Sequence, residues 1–233
     1  MSEQSADDLL ERLRQTGEEL PFELRETILE ADSSGVDTDD LVAGLVEVLR
    51  DPSLAPSGPR EASPASHAAM LLGLVEADEA IEPLLDTIEE ESQPSYLATT
   101  AAQALQRMSD RGQSRLIERY ESVDSADIER RLARGAAQLA PHADERVLEI
   151  LVRELEGEDD PGEGSSLLSD ISMVAATIEV DEPEEYTDRI SEWYEETAGD
   201  APDVVKKMVD VQYAQAREAL ESDPPEEDGA FQI

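Results

Sequence analysis

The sequence predicts an all-α fold, an α-solenoid of about five helical hairpins followed by a C-terminal capping helix. Two observations predict this architecture. Apolar residues recur at the three- and four-residue spacings of one helix face, and the whole pattern recurs every 32 to 35 residues. Because a period of this length is typical of stacked helical modules, each repeat is expected to be one hairpin of two helices.

Small and aliphatic residues mark the first helix of each hairpin. Three copies of this pattern begin at Ala65, Ala98 and Ala133, so they lie 33 and 35 residues apart. The matching positions are Ala65, Ala68, Ala69, Leu71 and Leu72, then Ala98, Ala101, Ala102, Ala104 and Leu105, then Ala133, Ala136, Ala137, Leu139 and Ala140. Since alanine lets neighbouring helices approach closely, the pattern predicts a tightly packed seam between successive repeats.

A larger apolar pattern marks the second helix of each hairpin. Its three copies are 32 and 35 residues apart, and their positions are Leu84, Leu85 and Ile88, then Leu116, Ile117 and Tyr120, then Leu151, Val152 and Leu155. These residues share one helix face at i, i+1, i+4 spacing. They are expected to fill the layer between repeats.

Weaker copies extend the array in both directions. The upstream residues are Leu24, Ile28 and Leu29, then Leu45, Val46 and Leu49; the downstream residues are Ser169, Ser172, Met173, Ala175 and Ala176, then Ile190, Trp193 and Tyr194. The last predicted helix runs from about Pro202 to Leu220. As a cap it is expected to present inward Val204, Val205, Met208 and Val211.

Proline and glycine divide the chain in agreement with these helices. Proline is tolerated in the first turn of a helix, and five prolines stand at predicted helix starts: Pro21, Pro64, Pro94, Pro183 and Pro202. Ser63 is a candidate N-cap for the helix after it. Residues 1–221 are therefore predicted to form one solenoid, with an extended loop at 51–63 and a mobile acidic loop at 156–166. A disordered acidic tail is predicted at 222–233.

The alternative to a solenoid is a compact helical bundle built from the same amphipathic helices. A hairpin cannot bury both of its apolar faces alone, and stacking gives each face a neighbour. A bundle has no reason to keep a period of 32 to 35 residues, so the period favours the solenoid.

Two adjacent segments resemble a HEAT repeat of the phycobilisome-lyase-like kind. Residues 69–74, AMLLGL, and residues 80–85, AIEPLL, match its pattern of Ala-Leu-Gly, a short acidic turn and an Ala-Ile step with a Leu pair. The Leu-Gly pair is missing from the next two copies. The resemblance covers roughly residues 20–200 and implies a right-handed, curved solenoid whose second helices line a concave binding surface.

The charge of the chain excludes several functions. There are 58 acidic and 18 basic residues among 233, a net charge of −40, and no cysteine. This composition argues against nucleic-acid binding, disulfides and thiolate metal sites, and no apolar run is long enough to span a membrane. The excess of acid with periodic apolar residues resembles proteins of salt-in halophilic archaea, in which molar salt screens the self-repulsion. We therefore expect a cytoplasmic protein in a high-salt cell.

No catalytic or metal-binding constellation is found in the sequence. His67 and His142 lie in different repeats without a matching Ser or second His, and each is expected to be a surface or capping residue. The acidic stretch 156–163 lacks the residue order of a calcium loop. Trp193 and Tyr194 are expected to be core residues. We therefore predict no cofactor, no metal and no enzymatic activity.

The arginines of the chain concentrate in the window 107–134. This window has a net charge of +1 although the whole chain carries −40, and its arginines are Arg107, Arg111, Arg115, Arg119, Arg130, Arg131 and Arg134. One hypothesis is a cationic patch that docks an acidic segment of a partner. The alternative is that these arginines pair with neighbouring carboxylates and hold the central repeats together.

The function predicted from these observations is a non-catalytic scaffold or adaptor that binds an unidentified protein along the concave face. The alternative is a lyase-like or chaperone-like HEAT protein that assists cofactor attachment or enzyme assembly. The oligomeric state is left open by the sequence.

Overall fold

The computed structural model describes residues 5–31, 35–91, 95–140 and 143–222. Within these residues the chain forms twelve α-helices, three short 3-10 turns and no β-strand, so the predicted all-α fold is confirmed. The tail 223–233, Pro94 and His142 lie outside the described residues, and the expectations about them stay predictions.

The helices are numbered here in chain order. Their bounds are α1 Ala6–Arg14, α2 Phe22–Leu29, α3 Thr38–Arg50, α4 Pro64–Leu74, α5 Ile81–Glu90, α6 Tyr96–Arg107, α7 Ser109–Ser122, α8 Ala126–Ala137, α9 Glu145–Glu156, α10 Pro161–Ala175, α11 Pro183–Thr197 and α12 Asp203–Glu221. The chain divides into two compact units, Met1–Gln138 with α1 to α8 and Leu139–Ile233 with α9 to α12.

Helix starts agree with the predicted punctuation. Pro64 and Pro183 occupy the first turns of α4 and α11, and Pro21 and Pro202 stand one residue before α2 and α12. Ser63 caps α4 as predicted. Its hydroxyl accepts a hydrogen bond from the backbone N–H of residue 66 at 3.3 Å, and the side chain of residue 66 accepts one from the Ser63 N–H at 2.7 Å, which is a capping box.

In the first unit, the helices form the two layers of an α-solenoid. Odd-numbered helices pack on one another in the order α1, α3, α5, α7, and even-numbered helices pack in the order α2, α4, α6, α8. Consecutive helices join the layers, for example α3 with α4 and α5 with α6. We call these layers the odd layer and the even layer. The second unit has the same arrangement, since α9 packs on α11 and α10 packs on α12.

The predicted seam of small residues lies in the even layer. Ala65, Ala68, Ala69, Ala101 and Ala102 are all fully buried. α4 and α6 approach closely at Gly73 of α4, where a β-carbon would lie 2.6 Å from the Cα of Ala104 in α6. Close packing of this kind is what a repeat array needs, because successive modules share a single apolar interface.

The turn after α4 places a non-glycine residue in a left-handed conformation. Glu76 has φ of +51°. The backbone N–H of Glu76 donates to the carbonyl of Gly73, and the N–H of Ala77 donates to the carbonyl of Leu72 at 3.3 Å. This pair of bonds is a Schellman motif, whose left-handed position is usually glycine. Glu76 therefore holds a strained backbone at the end of α4.

The predicted loops are partly confirmed. Residues 51–63 contain only a 3-10 turn, Pro52–Leu54, before α4 begins. The prediction of an acidic loop over 156–166 is wrong, because α10 begins at Pro161. The Asp160 carboxylate caps this helix by accepting from the N–H groups of Gly162 and Glu163 at 2.8 and 3.0 Å. The acidic residues that suggested a solvated loop thus include the N-cap residue and a first-turn residue of α10.

The predicted inward faces of α10 and α12 are largely wrong, whereas those of α9 and α11 are mostly right. In α12, Val204, Met208 and Val211 are exposed by 82%, 46% and 54%. The buried residues of that helix are Val209, Ala216 and Leu220. In α10 the buried residues include Leu168, Ile171 and Val174, rather than Ser169 and Met173. Ala175 of α10 is buried as predicted, and Val205 of α12 is half-buried. The core face of α10 is its stripe of large aliphatic residues, not the stripe of small residues that the period indicated.

Candidate functional site

The seven arginines of the predicted patch are divided between helices of both layers. Arg107 is exposed at the end of α6. Arg111, Arg115 and Arg119 lie along α7 in the odd layer, and Arg130, Arg131 and Arg134 lie along α8 in the even layer. The structure therefore brings three of the seven together as one line of guanidinium groups on α7.

Carboxylates of the preceding repeat face this line. Arg111 pairs with Asp78, and Arg115 donates to Glu82 from Nε at 3.0 Å. Arg119 donates to Asp86 from Nη2 at 2.7 Å. In each of the three pairs the partners are 33 residues apart, which is the length of one repeat. We call this set the α5–α7 ion-pair row.

Arg119 is the most engaged member of the row. Besides Asp86, it donates to Glu89 at 2.5 Å and to Glu82 at 3.2 Å. Its side chain is 28% exposed and that of Glu89 is 17% exposed, whereas Arg111 and Arg115 are 52% and 48% exposed. Exposed ion pairs contribute about 1 kcal/mol or less to stability, so the partly buried Arg119 pairs are the main contributors in this row.

These contacts raise the pKa values of two arginines of the row. A hydrogen bond to Glu89 raises the pKa of Arg119 above its ordinary value, and hydrogen bonds to Glu82 and Glu118 raise the pKa of Arg115. Both guanidinium groups, already charged at ordinary pH, are held more firmly in the charged form.

Similar contacts join other neighbouring helices of the odd layer. In the first unit, Arg50 of α3 donates to Asp86 at 3.0 Å, so Asp86 bridges α3 and α7. In the second unit, Arg189 of α11 donates to Glu149 and Glu156 of α9, in each case at 2.6 Å. Glu156 is again 33 residues from its partner, and the hydrogen bond from Arg189 lowers the pKa of the Glu156 carboxyl.

The arginines of α8 are also engaged. Arg131 donates to the backbone carbonyl of Glu89, at the end of α5. Arg130 and Arg134 also have interaction partners. These contacts are of the kind expected if the central arginines hold neighbouring repeats together, which was the alternative to a partner-docking patch.

A groove of about 500 Å³ lies beside the row, between α3 and α5. Its floor is apolar and its rim is charged. The floor residues are Val42, Ala43, Val46 and Pro83, and the rim residues are Asp39, Arg50, Glu79 and Glu82. Val42 and Val46 are half-buried and Ala43 is exposed, so all three are reachable from solvent.

The groove and the row form one continuous surface. Glu82 belongs to the rim of the groove and also accepts hydrogen bonds from Arg115 and Arg119. Arg50, on the same rim, pairs with Asp86 of the row. An apolar floor edged by fixed charges is the common form of a site that receives a protein segment. We call this combined area the odd-layer surface.

The groove was not foreseen from the sequence. The core face of α3 is formed by Leu41, Leu45 and Val48, and these buried residues account for its helical period. Val42 and Val46 form a second stripe next to the first, with i, i+4 spacing. That second stripe is the signal that could have indicated an apolar surface in addition to the core.

Residues with possible catalytic chemistry occupy structural positions. His67 is 5% exposed, so the expectation of a surface or capping histidine is wrong. Its Nδ1 is 3.0 Å from the Thr16 hydroxyl, and burial lowers its pKa. Trp193 is a core residue as predicted, and its indole N–H donates to the carbonyl of Glu158 at 2.7 Å.

Tyr194, in contrast to its neighbour, lies at the boundary between α11 and α12. Its ring stacks on that of Tyr213 with centroids 4.2 Å apart, and its hydroxyl donates to Asp210 at 2.6 Å. The prediction that Tyr194 belongs to the core is therefore only partly right, since the residue is half-buried. Its stacking attaches the last helix to α11.

The described residues offer neither a metal site nor a membrane-spanning helix. Across residues 5–31, 35–91, 95–140 and 143–222, no group of three or more His, Asp or Glu side chains has an arrangement that could hold a metal ion. In the same part of the chain, no helix has the length and the apolar character needed to cross a bilayer.

The layers and the period define this chain as a helical repeat protein. Solved structures similar to it include an engineered protein that is 20% identical, with 94% of this chain and 91% of that chain covered and a TM-score of 0.43. A second engineered protein is 19% identical over 92% of this chain and 88% of that chain, with a TM-score of 0.41. A designed armadillo repeat protein is 15% identical over 91% and 92%, with a TM-score of 0.39.

No model of a known protein family matches this chain, and no curated protein matches it.

Proposed function

We propose that this chain is a non-catalytic scaffold that binds a segment of another protein on the odd-layer surface of its first unit. The observation that carries the proposal is the groove between α3 and α5, which leaves Val42, Ala43 and Val46 accessible in a chain that is 33% charged. Apolar surface kept open between charged rims is a frequent property of interaction sites.

The chemistry of the segment follows from the lining of the groove. One or two aliphatic side chains would enter between Val46 and Pro83, where they exclude water from an apolar floor. Carboxylates of the same segment would bind Arg111 and Arg115, whose guanidinium groups are about half exposed. The acidic partner predicted from the sequence would therefore contact only Arg111 and Arg115, the two arginines of the row whose side chains are about half exposed.

Affinity purification with one matched pair of variants tests the proposal. Ala43→Arg fills the groove with a charged side chain, and Gln103→Arg adds the same charge at an exposed position of α6. Because both positions are exposed, both variants should keep the circular dichroism and melting temperature of the natural chain. A stoichiometric protein should be retained by the natural chain and by Gln103→Arg, and lost by Ala43→Arg.

Two results would contradict the proposal. Equal retention of the partner by both variants would show that the groove is not the binding site. Absence of any stoichiometric protein, in lysates prepared at high salt as well as at low salt, would contradict the scaffold function itself.

The alternative function, assistance in cofactor attachment or enzyme assembly, would use the same groove. Its volume of about 500 Å³ lies in the range of small-molecule sites. A coloured or small organic molecule that purifies with the natural chain and not with Ala43→Arg would favour this alternative over the adaptor.

We further propose that the repeats are right-handed and of the HEAT kind, and that the protein works in a high-salt cytoplasm. The segments 69–74 and 80–85 support the first statement, since they form the end of α4 and the start of α5 with a short acidic turn between them. The net charge of −40 supports the second, because salt at about 1 M reduces the Debye length to about 3 Å.

A further inference from the structure

The last helix, α12, has an exposed face that is poor in charge. Its inner side packs against α10 and α11 and buries Val209, Ala216 and Leu220. The outer side is one stripe of exposed residues, whose members are three, four or seven positions from one another along the helix: Val204, Lys207, Met208, Val211, Ala214, Gln215 and Glu218. Terminal helices of repeat arrays normally have a polar outer face, so this one has the composition of an interface.

The spacing of this face indicates the kind of structure that would cover it. Val204, Val211 and Glu218 are seven residues apart, and Lys207 and Ala214 follow the first two by three residues. This is the a and d spacing of a heptad, with apolar residues at three of the five positions and the charged Lys207 and Glu218 at the other two. Its period of 3.5 residues matches a second helix lying along the first. A helix is therefore the complementary partner, rather than an extended strand or a loop.

Charge is distributed unevenly along the face. Lys206 and Lys207 are the only lysines of the chain, and both are near the start of α12. Asp203 is also at the start, so that end carries one net positive charge. Glu218, Glu221 and Arg217 are exposed near the other end, where Arg217 pairs with Glu221 at 2.8 Å, so that end carries one net negative charge. The face is thus basic at one end and acidic at the other, with Val211 and Ala214 between them. A face of this kind is complementary to itself when the second helix runs in the opposite direction.

We propose that α12 is a self-association face on which a second copy of this chain binds through its own α12 in antiparallel orientation. The pairing places Lys207 of each copy beside Glu218 of the other, and Val211 of each beside Ala214 of the other. Both contacts join an a position to a d position, as antiparallel coiled coils do. The small side chain of Ala214 leaves room for Val211.

The salt dependence of this dimer should be opposite to that of a purely ionic contact. Two copies carrying −40 each repel one another at low ionic strength. Salt at about 1 M screens this repulsion and does not weaken the apolar contact at Val211. The fraction of dimer should therefore rise with salt concentration.

Sedimentation over a range of protein and salt concentrations tests the proposal. The natural chain should move from 25.5 kDa toward twice that mass as concentration and salt increase. Val211→Gln should weaken the dimer about tenfold or more, since each dimer loses two buried valines. Phe22→Gln is the matched control, because Phe22 is an exposed apolar residue of the first unit, and it should dimerise like the natural chain.

Cysteine cross-linking tests the direction of the pairing, and the described residues hold no free cysteine that could interfere. Mixing Val211→Cys protein with Ala214→Cys protein should give a disulfide-linked dimer under mild oxidation. Mixing Gln103→Cys protein with Ala214→Cys protein should not.

Three results would overturn the proposal. The first is a monomer at every salt concentration, and the second is a dimer that Val211→Gln leaves unchanged. The third is a dimer that forms only after removal of 223–233, which would mean that the chain's own tail covers the α12 face.

Discussion

Replacement of Gly73 by alanine is the most direct test of the even-layer seam. The added β-carbon would lie 2.6 Å from the Cα and 2.7 Å from the Cβ of Ala104. Carbon atoms in contact are normally about 3.5 to 4.0 Å apart, so α4 and α6 would have to separate by about 1 Å. The opposing atom at 2.6 Å is backbone and cannot rotate away.

The magnitude follows from two opposing effects. Forcing a methyl group into a packed core costs about 1 to 3 kcal/mol, and the upper half applies here because neither helix can yield locally. The better helix propensity of alanine returns about 1 kcal/mol. We expect Gly73→Ala to lower the free energy of unfolding by about 1 to 2 kcal/mol, and the melting temperature by roughly 2 to 8 °C.

Gly135→Ala is the matched control. Gly135 lies in α8 of the same layer, and its β-carbon would be 3.4 Å from the methyl groups of Ile88, which are flexible. This variant should be as stable as the natural chain or more stable by up to about 1 kcal/mol. Both variants are compared by thermal and urea unfolding, monitored by circular dichroism in one high-salt buffer. A Gly73→Ala protein that is as stable as Gly135→Ala would refute the close approach of α4 and α6.

Three further predictions concern the turn after α4, the buried histidine and the charge. Glu76→Gly should raise the free energy of unfolding by about 1 kcal/mol, because glycine adopts the left-handed conformation without strain; Glu76→Ala, which removes the carboxylate and keeps the β-carbon that causes the strain, should gain less, and equal gains would contradict the strain. Burial lowers the pKa of His67 from 6.5, so its stabilising contribution is present above that pH and is lost as the pH falls toward the lowered value. Urea unfolding measured at a series of pH values below 6.5 should show this loss in the natural chain and a flatter dependence in His67→Gln. The melting temperature should rise as KCl is raised to about 1 M, and a constant or falling value would contradict self-repulsion as the main effect of the net charge.

The even layer could be predicted because its pattern depends on the period. Ala65, Ala98 and Ala133 stand at equivalent positions, and a small residue on a helix face has few roles other than close packing. The clustering of the arginines could also be read from the sequence, but the carboxylates that they bind could not. With 58 acids in the chain, only the fold could select Glu82, Asp86 and Glu89 as those facing α7.

Other features depend on tertiary contacts that have no local signal. Residues 156–166 have the composition of a loop, yet Gly164 is helical. Glycine is required there because a β-carbon would lie 2.0 Å from the Trp193 ring, a contact that the local sequence does not reveal. In α12, Val211 and Val209 are chemically equal, and only the position of α10 decides that Val209 is buried. The groove between α3 and α5 likewise requires both helices to be in place.

The ion pairs of the odd layer also determine where the first unit can deform. Sliding α7 along α5 would stretch the contacts of Arg111, Arg115 and Arg119 simultaneously, which makes this step mechanically stiff. The step from α3 to α5 is joined by Arg50 and Asp86 at one end of the groove. A ligand that pushes α3 and α5 apart would therefore stretch fewer ion pairs than one that separates α5 from α7. The groove thus lies between the two helices that separate more easily.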